Sequence, residues 1–355
     1  MPAENIHFDS DGCTLAGTYV QAAAPVAAAL LITGSGRTDR DSDARLPFHQ
    51  TLRIGVTKAI AGALEAAQVS TLRYDKRGTG ASGGDYLTTG FGQRLADARA
   101  ALTWLAARTP GLPLLAIGHS EGSLHAAELA ADNAVAGAAL LSASAHTGEQ
   151  TLTWQARMLA SRMPPATRLI LRIVGTDVIR AQHKNLARIQ ASSADVLRIQ
   201  GTRVNARWLR EYAAYDPAPA LARITVPVLA ITGAADLQVP PEDVETIGRL
   251  VRGPFEGHIP DDLSHLLRPD PARIGPRGYR RAVRQPVSPA VLALIAQWGT
   301  RYWADNNDHT AQRGLRTSTS SQQPRTARRS GMVAATRLHQ RAYRAPGLAD
   351  SELAQ

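Results

Sequence analysis

The stretch Ile117-Gly118-His119-Ser120-Glu121-Gly122 constrains this chain more than any other. It follows an apolar run, residues 114–117, and precedes residues 123–130, where apolar side chains recur at helical spacing. Strand, tight turn and helix, with Gly-x-Ser-x-Gly on the turn, is the arrangement of a nucleophile elbow. So sharp a turn holds its serine in a strained backbone conformation. Side chains at Gly118 and Gly122 would collide with the neighbouring strand and helix. The spacing therefore predicts that Ser120 is a nucleophile, and the remaining chain has to supply its partners.

The 355 residues suffice for one large core or two modest ones, and a hydrophobic content of 44% marks a globular chain. No run of 18 uncharged apolar residues occurs, so no membrane span is expected. Residues 1–5 lack a basic region and an apolar region of the kind that forms a signal peptide. A single cysteine, Cys13, rules out an internal disulfide and any cysteine-based metal cluster. It reads as a small buried residue on an early strand. These features together predict a cytoplasmic protein. The net charge of +10 is localised: residues 268–285 carry +5 and residues 304–355 carry +4. Arginines number 37 against three lysines, Lys58, Lys76 and Lys184. A near-neutral remainder and this arginine skew do not match a nucleic-acid binder, and no nucleic acid is expected as a partner. No cofactor fingerprint or metal cluster is present in the sequence, so no cofactor is expected. The sequence leaves the oligomeric state open.

Along the chain, Asp11-Gly12 between two β-prone runs predicts a hairpin. Strands are expected at 26–32, 69–74, 114–117 and 135–142, with helices at 52–67, 91–107 and after Ser120. This alternation predicts an α/β fold, a mostly parallel central sheet with helices on both faces. Ligands of such sheets sit beyond the carboxyl ends of the strands, so the loops after Ile32, Tyr74 and Ile117 should meet. From 145 to 217 the alternation stops. That stretch is rich in apolar residues, breaks at Pro164-Pro165 and reads as a helical insertion. The sheet resumes at 226–232, followed by a helix at 240–251 with a proline in its first turn, a strand at 255–259 and a last amphipathic helix at 287–303. Residues 304–355 sustain no apolar period and read as a disordered basic tail.

A serine that transfers acyl groups needs a base, a group that orients the base, and donors for the developing oxyanion. The acid and the histidine are expected after the serine, each on a loop that follows a strand. Asp236 follows the strand at 226–232 through a Gly-containing turn, and His265 follows the strand at 255–259. Ser120, Asp236 and His265 are the predicted triad. His258 falls inside a predicted strand, which favours a structural role. His119 and His125 flank the serine too closely to reach its hydroxyl and read as local packing. His183 lies in the insertion and is a weaker substrate-contact candidate. Asp261 and Asp262 read as turn residues, and either could replace Asp236 if the register shifts by one element. For the oxyanion, the backbone N–H of Glu121 and one from Gly34-Ser35-Gly36 are predicted, Ser35 first and Gly36 next. No Gly-Lys-Ser/Thr follows that loop, so it is not a phosphate cradle. Asp75 and Arg77 read as a polar network that holds their loop. The Glu121 side chain is expected to orient the elbow or to face solvent.

The chain resembles the α/β-hydrolase superfamily. More narrowly, it is similar to bacterial serine hydrolases related to prolyl-oligopeptidase-like and proline-iminopeptidase-like peptidases and esterases. The resemblance rests on residues 34–41, 73–82, 118–122, 215–217, 226–228, 236–241 and 265–267, and it spans roughly residues 5–300. It implies an α/β-hydrolase core at 1–144 and 218–303 and a helical cap at 145–217. It assigns nucleophile, acid and base to Ser120, Asp236 and His265. This chain departs from the pattern at Thr33, where relatives commonly carry His, at Arg37, where many carry Pro, and at Ser123, where many carry a third Gly. The function expected is a carboxylesterase acting on small-molecule esters through an acyl-enzyme. Ester is preferred over amide because no propeller and no evident amine-recognising acidic pair occur. The alternatives are an aminopeptidase or amidase on the same triad, and a non-catalytic hydrolase-like binding protein. Every predicted site residue precedes 304, so a chain truncated after Trp303 is expected to retain full ester hydrolysis when assayed beside the intact protein.

Overall fold

Asp11 and Gly12 both take positive φ, 48° and 74°. That is the geometry of a two-residue type I′ turn. It joins β1 (Glu4–Ser10) to β2 (Cys13–Val20) as the expected antiparallel hairpin. The computed structural model describes residues 2–45, 51–163, 166, 177–272 and 278–303. β3 (Ala27–Ile32) is buried at every position. Its unbroken apolar run arises because both of its faces are covered. Two short strands, β4 (Ala44–Arg45) and β5 (Thr51–Leu52), pair within the segment that follows. In α1 (Val56–Ala66) the buried Val56, Ile60, Ala61 and Leu64 recur at three- and four-residue spacing, which lays one face on the sheet. β6 (Val69–Tyr74), α2 (Phe91–Arg108), β7 (Leu114–His119), α3 (Glu121–Ala131) and β8 (Gly137–Leu141) continue the predicted alternation.

The insertion opens with α4 (Gly148–Ser161), started by a capping box between Thr147 and Gln150. α5 (Val178–Gln190) starts where the Asp177 carboxylate accepts from the N–H groups of Ile179 and Arg180. These helices match the expected helical insertion, and a short hairpin is added to them. β9 (Val196–Ile199) and β10 (Thr202–Asn205) form an antiparallel hairpin within it. Gln200 and Gly201 make its two-residue turn with φ of 49° and 81°. α6 (Ala206–Ala214) follows, capped by the Asn205 side chain on the Trp208 N–H. Pro164-Pro165, the apolar residues 169–174 and the tail at 304–355 lie outside the described residues.

After α7 (Ala218–Leu221) the chain rejoins the sheet as β11 (Val228–Ile231). α8 (Asp243–Leu250) begins later than predicted. Pro240 and Pro241 stand before it, and their carbonyls accept from the N–H groups of Asp243 and Val244. β12 (Phe255–His258), α9 (Tyr279–Ala282) and α10 (Pro289–Arg301) complete the order. The eight-stranded sheet runs β1-β2-β6-β3-β7-β8-β11-β12. From β6 to β12 the neighbours are parallel, and β2 joins this set antiparallel. This is the predicted α/β architecture.

Two apolar layers hold it. Leu102 and Leu105 of α2, Leu129 of α3 and Ile247 of α8 cover one face. Ile60 and Leu64 of α1 with Val291, Ile295 and Trp298 of α10 cover the other. Along β3 the allegiance alternates: Ala28, Leu30 and Ile32 face the first layer, Ala27, Ala29 and Leu31 the second. Among the described residues no helix is long and apolar enough to cross a membrane. Trp298 is fully buried and stands edge-on to Trp303. Trp298→Ala leaves a large cavity under the sheet, and urea denaturation should show a loss of about 3–5 kcal/mol.

Candidate active site

The elbow turn sits where β7, α3 and β3 come together. A Cβ on Gly118 would strike the backbone of Gly122 and Ser123, and a Cβ on Gly122 would strike the Ile32 carbonyl. Only glycine fits at either place. Ser120 between them takes φ 54° and ψ −122°, a region L-residues rarely occupy. Its N–H is fixed by the Leu141 carbonyl at 2.8 Å. Its side chain lines a cavity of about 50 Å³. Ser35, Glu121, Leu152, Trp208 and Gln238 share that lining.

Asp236 and His265 come from the turn after β11 and the loop after β12, and the fold brings them together. His265 Nδ1 donates to Asp236 Oδ2 at 2.8 Å and lies 3.1 Å from Oδ1. Both side chains are buried. Asp236 Oδ1 also accepts from the N–H groups of Gln238 at 2.7 Å and Val239 at 3.1 Å. Burial acts to raise the Asp236 pKa, but the His265 ring and these hydrogen bonds outweigh it, so the carboxyl is held below its ordinary range. With the carboxylate ionised, Nδ1 carries the proton and Nε2 is left as an acceptor. The two loops meet closely: a Cβ on Gly233 would strike the Leu263 carbonyl, which also accepts from the Ala235 N–H. Leu267, fully buried at φ 54°, and Arg268, which donates to the Leu266 and Gln285 carbonyls, fix the turn that carries His265.

The loop after β3 lies on the elbow. A Cβ on Gly34 would approach Ser120 Cβ at 3.1 Å and the His119 carbonyl at 3.2 Å. Among the described residues the Ser35 N–H makes no backbone hydrogen bond. The Glu121 N–H belongs to the first turn of α3, where N–H groups lack partners within the helix. Ser35 and Glu121 both line the cavity that Ser120 lines.

The other histidines separate from the site or support it. His119 Nε2 donates to the His265 carbonyl at 2.7 Å, and burial followed by the nearby His265 ring lowers its pKa to about 3, so it stays neutral. His125 lies 3.4 Å from Glu121. His258 ends β12 and pairs with Glu256 at 2.8 Å. His183 is exposed on α5, and Asp261 and Asp262 are exposed turn residues. Asp75 accepts from the backbone N–H groups of Arg40 and Ala81, and Arg77 binds Asp97, which is the polar network expected of that loop.

Of the two expectations for the Glu121 side chain, exposure to solvent is corrected. The side chain is buried and bound by Arg94 at 2.9 Å and by the Trp208 indole N–H at 2.9 Å. Arg94 in turn lies 4.9 Å from the Tyr86 ring centroid and 5.3 Å from that of Trp208. Burial alone would raise the Glu121 pKa, but Arg94 and then His125 drive it well below the ordinary carboxylate range. Sequence reading missed Arg94, Trp208 and Lys76 as members of this site. Arg94 carries the only usable signal, a charge on the inner side of α2 among Phe91, Ala98 and Ala101. Among the described residues no group of three or more metal-ligating side chains occurs.

An elbow serine on a mostly parallel sheet, flanked by helices and helical insertions, defines an α/β-hydrolase. Residues 53–268 match the family model described as serine aminopeptidase, S33 (Hydrolase_4), and the chain belongs to that family of serine hydrolases. A search of curated proteins finds no match. Among solved structures it is similar to Est1E from Butyrivibrio proteoclasticus with ferulic acid bound, at 16% identity and a TM-score of 0.54, over 82% of this chain and 97% of that one. The α/β hydrolase GrgF from Penicillium sp. sh18 gives 17% identity and a TM-score of 0.56, over 86% and 100%. An esterase from Pyrococcus furiosus gives 14% and 0.54, over 85% and 91%. At these identities the likeness is one of fold.

The depressed pKa of Glu121 has a signed consequence. Its pairing with Arg94 stabilises the fold above the unfolded value near 4.5 and is lost as pH falls toward the lower folded value. Glu121→Gln leaves Arg94 buried and uncompensated, so it should cost about 3–5 kcal/mol at pH 7. It should also flatten the loss of stability below pH 4.5, read as denaturation midpoints across pH.

Proposed function

We propose that this protein is a carboxylesterase that hydrolyses small-molecule esters through an acyl-enzyme. Ser120 Oγ attacks the ester carbonyl carbon while His265 Nε2 takes its proton. Asp236 holds the imidazole in the required tautomer and stabilises the imidazolium. The carbonyl oxygen becomes an oxyanion that accepts from the N–H groups of Ser35 and Glu121. The tetrahedral adduct collapses, the carbon–oxygen bond to the alcohol breaks, and His265 gives its proton to the departing alkoxide. Water activated by the same histidine then attacks the acyl-serine, and the carboxylic acid leaves.

The observation that carries this reading is the buried, hydrogen-bonded Asp236–His265 pair on strand-end loops of the same sheet that strains Ser120. The choice of ester over peptide has separate support. Recognition of a free amino terminus calls for a carboxylate with an oxygen to spare. Among the described residues lining the cavity the one carboxylate is Glu121; its Oε1 accepts from Arg94 and Trp208 with His125 at 3.4 Å, its Oε2 accepts from Arg94, and its charge is thus already matched by a buried guanidinium. The other polar lining groups are neutral, from Ser35, Ser142, Ser144, Gln155 and Gln238. A cavity of about 50 Å³ suits a short acyl group. The esterases among the similar folds agree with this choice, and the name of the family keeps the aminopeptidase reading as its rival.

A fluorophosphonate probe should label the wild type and not Ser120→Ala, which should lose on the order of 10⁶-fold in kcat. Against a panel of p-nitrophenyl esters and aminoacyl anilides, acetate and butyrate esters should be the better substrates. Faster turnover of the anilides would reverse the assignment to esters.

A further inference from the structure

Lys76 is a buried lysine that the reaction above does not use. It lies on the loop after β6, and β6 is the parallel neighbour of β3. The loops after these two strands are therefore adjacent. The ammonium crosses between them and donates to the Gly34 carbonyl and, at 2.9 Å, to Thr38 Oγ1. Both acceptors belong to the loop that carries Ser35. Its own main chain is held as well, since the Lys76 carbonyl accepts from the Thr79 N–H at 3.0 Å and the Thr79 hydroxyl at 2.8 Å.

The Gly34 carbonyl and the Ser35 N–H are two ends of one planar trans peptide and point in opposite directions. A donor that fixes the carbonyl end fixes the direction of the N–H end. A Cβ on Gly34 would lie 3.1 Å from Ser120 Cβ and 3.2 Å from the His119 carbonyl, so the elbow leaves this residue little room to shift. The peptide is thus gripped between the lysine and the elbow. A cation on its oxygen also polarises it and makes the N–H a stronger donor, an effect that a low dielectric enlarges.

Burial of an ammonium is unfavourable unless it is well compensated. Burial, and after it the positive Arg94, bring the Lys76 pKa down to about 7, while Glu121, Asp39 and Asp75 act in the opposite direction. An apolar side chain of similar length would avoid that penalty. We propose that Lys76 is a positioning residue of the oxyanion site, which aims and polarises the Ser35 N–H by holding the Gly34 carbonyl. This rests on the esterase reading and on Ser35 as an oxyanion donor.

The test compares the full-length wild type with Lys76→Met, Lys76→Gln and Thr38→Val. The readouts are kcat and KM on p-nitrophenyl butyrate and the inhibition constant of a trifluoromethyl ketone, which forms a tetrahedral adduct with the serine. Loss of one oxyanion donor typically costs about 10²–10³-fold. Lys76→Met is expected to lose up to about 100-fold in kcat on that scale, with KM within about twofold and ketone affinity reduced in step with kcat/KM. Lys76→Gln, which keeps an N–H donor without the charge, should recover part of the loss, and Thr38→Val should lose less than Lys76→Met in the same pattern. If Lys76→Met does not fold, judged by circular dichroism, the other two variants decide by the same pattern. The proposal is overturned if ketone affinity is unchanged in the folded variants, or if KM and the inhibition constant rise together with kcat intact. Fluorophosphonate labelling of the wild type separates the two levels. Without labelling the esterase reading falls and this proposal with it, whereas normal labelling with unaltered ketone affinity overturns the role of Lys76 alone.

Discussion

At the elbow three backbones meet where no side chain fits. Gly118, Gly122 and the Ile32 carbonyl occupy the space that two Cβ atoms would need. That contact welds β7 and α3 onto β3 and leaves Ser120 at φ 54° with its side chain turned toward the cavity. The strain persists because β7 is held between β3 and β8, both buried at every position. The same contact brings the loop after β3 over the serine, so the predicted nucleophile and its predicted oxyanion donors depend on one close approach.

A buried charge cluster ties this point to the insertion. Glu121 begins α3, Arg94 comes from α2, and the Trp208 indole reaches the same carboxylate from α6. Asn205 at the start of α6 donates to the Tyr86 and Thr89 carbonyls, and Gln155 of α4 donates to the Gln238 carbonyl beside Asp236. The insertion is therefore anchored beside Glu121 by Trp208 and near Asp236 by Gln155. A buried ion pair gives modest stability, but it fixes geometry wherever each of its partners is satisfied. Here the Trp208 indole N–H on Glu121 ties α6 to the start of α3, while among the described residues Arg94 Nε and Nη2 make no hydrogen bond and the guanidinium lies against the Tyr86 and Trp208 rings.

The core was legible because its signals are local. The strand expected at 69–74 matches β6 residue for residue, and Asp11-Gly12 forms the turn it predicts. The insertion was less legible. Its β9–β10 hairpin turns on Gln200-Gly201, a weaker signal than Asp-Gly, between strands of four residues whose positions, Asn205 apart, are exposed or half-buried. Such strands show no clean alternation, because neither face is fully covered. For Glu121 the sequence left orienting the elbow and facing solvent both open, and burial excludes the second. Beside a turn serine, a glutamate looks like a surface residue until the arginine that buries it arrives from 27 positions away.

The sequence by itself determined the sheet, the elbow and the order in which Ser120, Asp236 and His265 appear, since strand and turn chemistry are written in neighbouring residues. Only the tertiary structure decided which polar groups share the cavity. Lys76 on the Gly34 carbonyl, Arg94 on Glu121 and Trp208 above it are contacts between residues 27 to 87 positions apart. No local pattern encodes such contacts. They exist because the parallel sheet gathers loops and helix ends at the carboxyl ends of its strands and excludes water there, so that buried polar groups are driven to partners from distant elements.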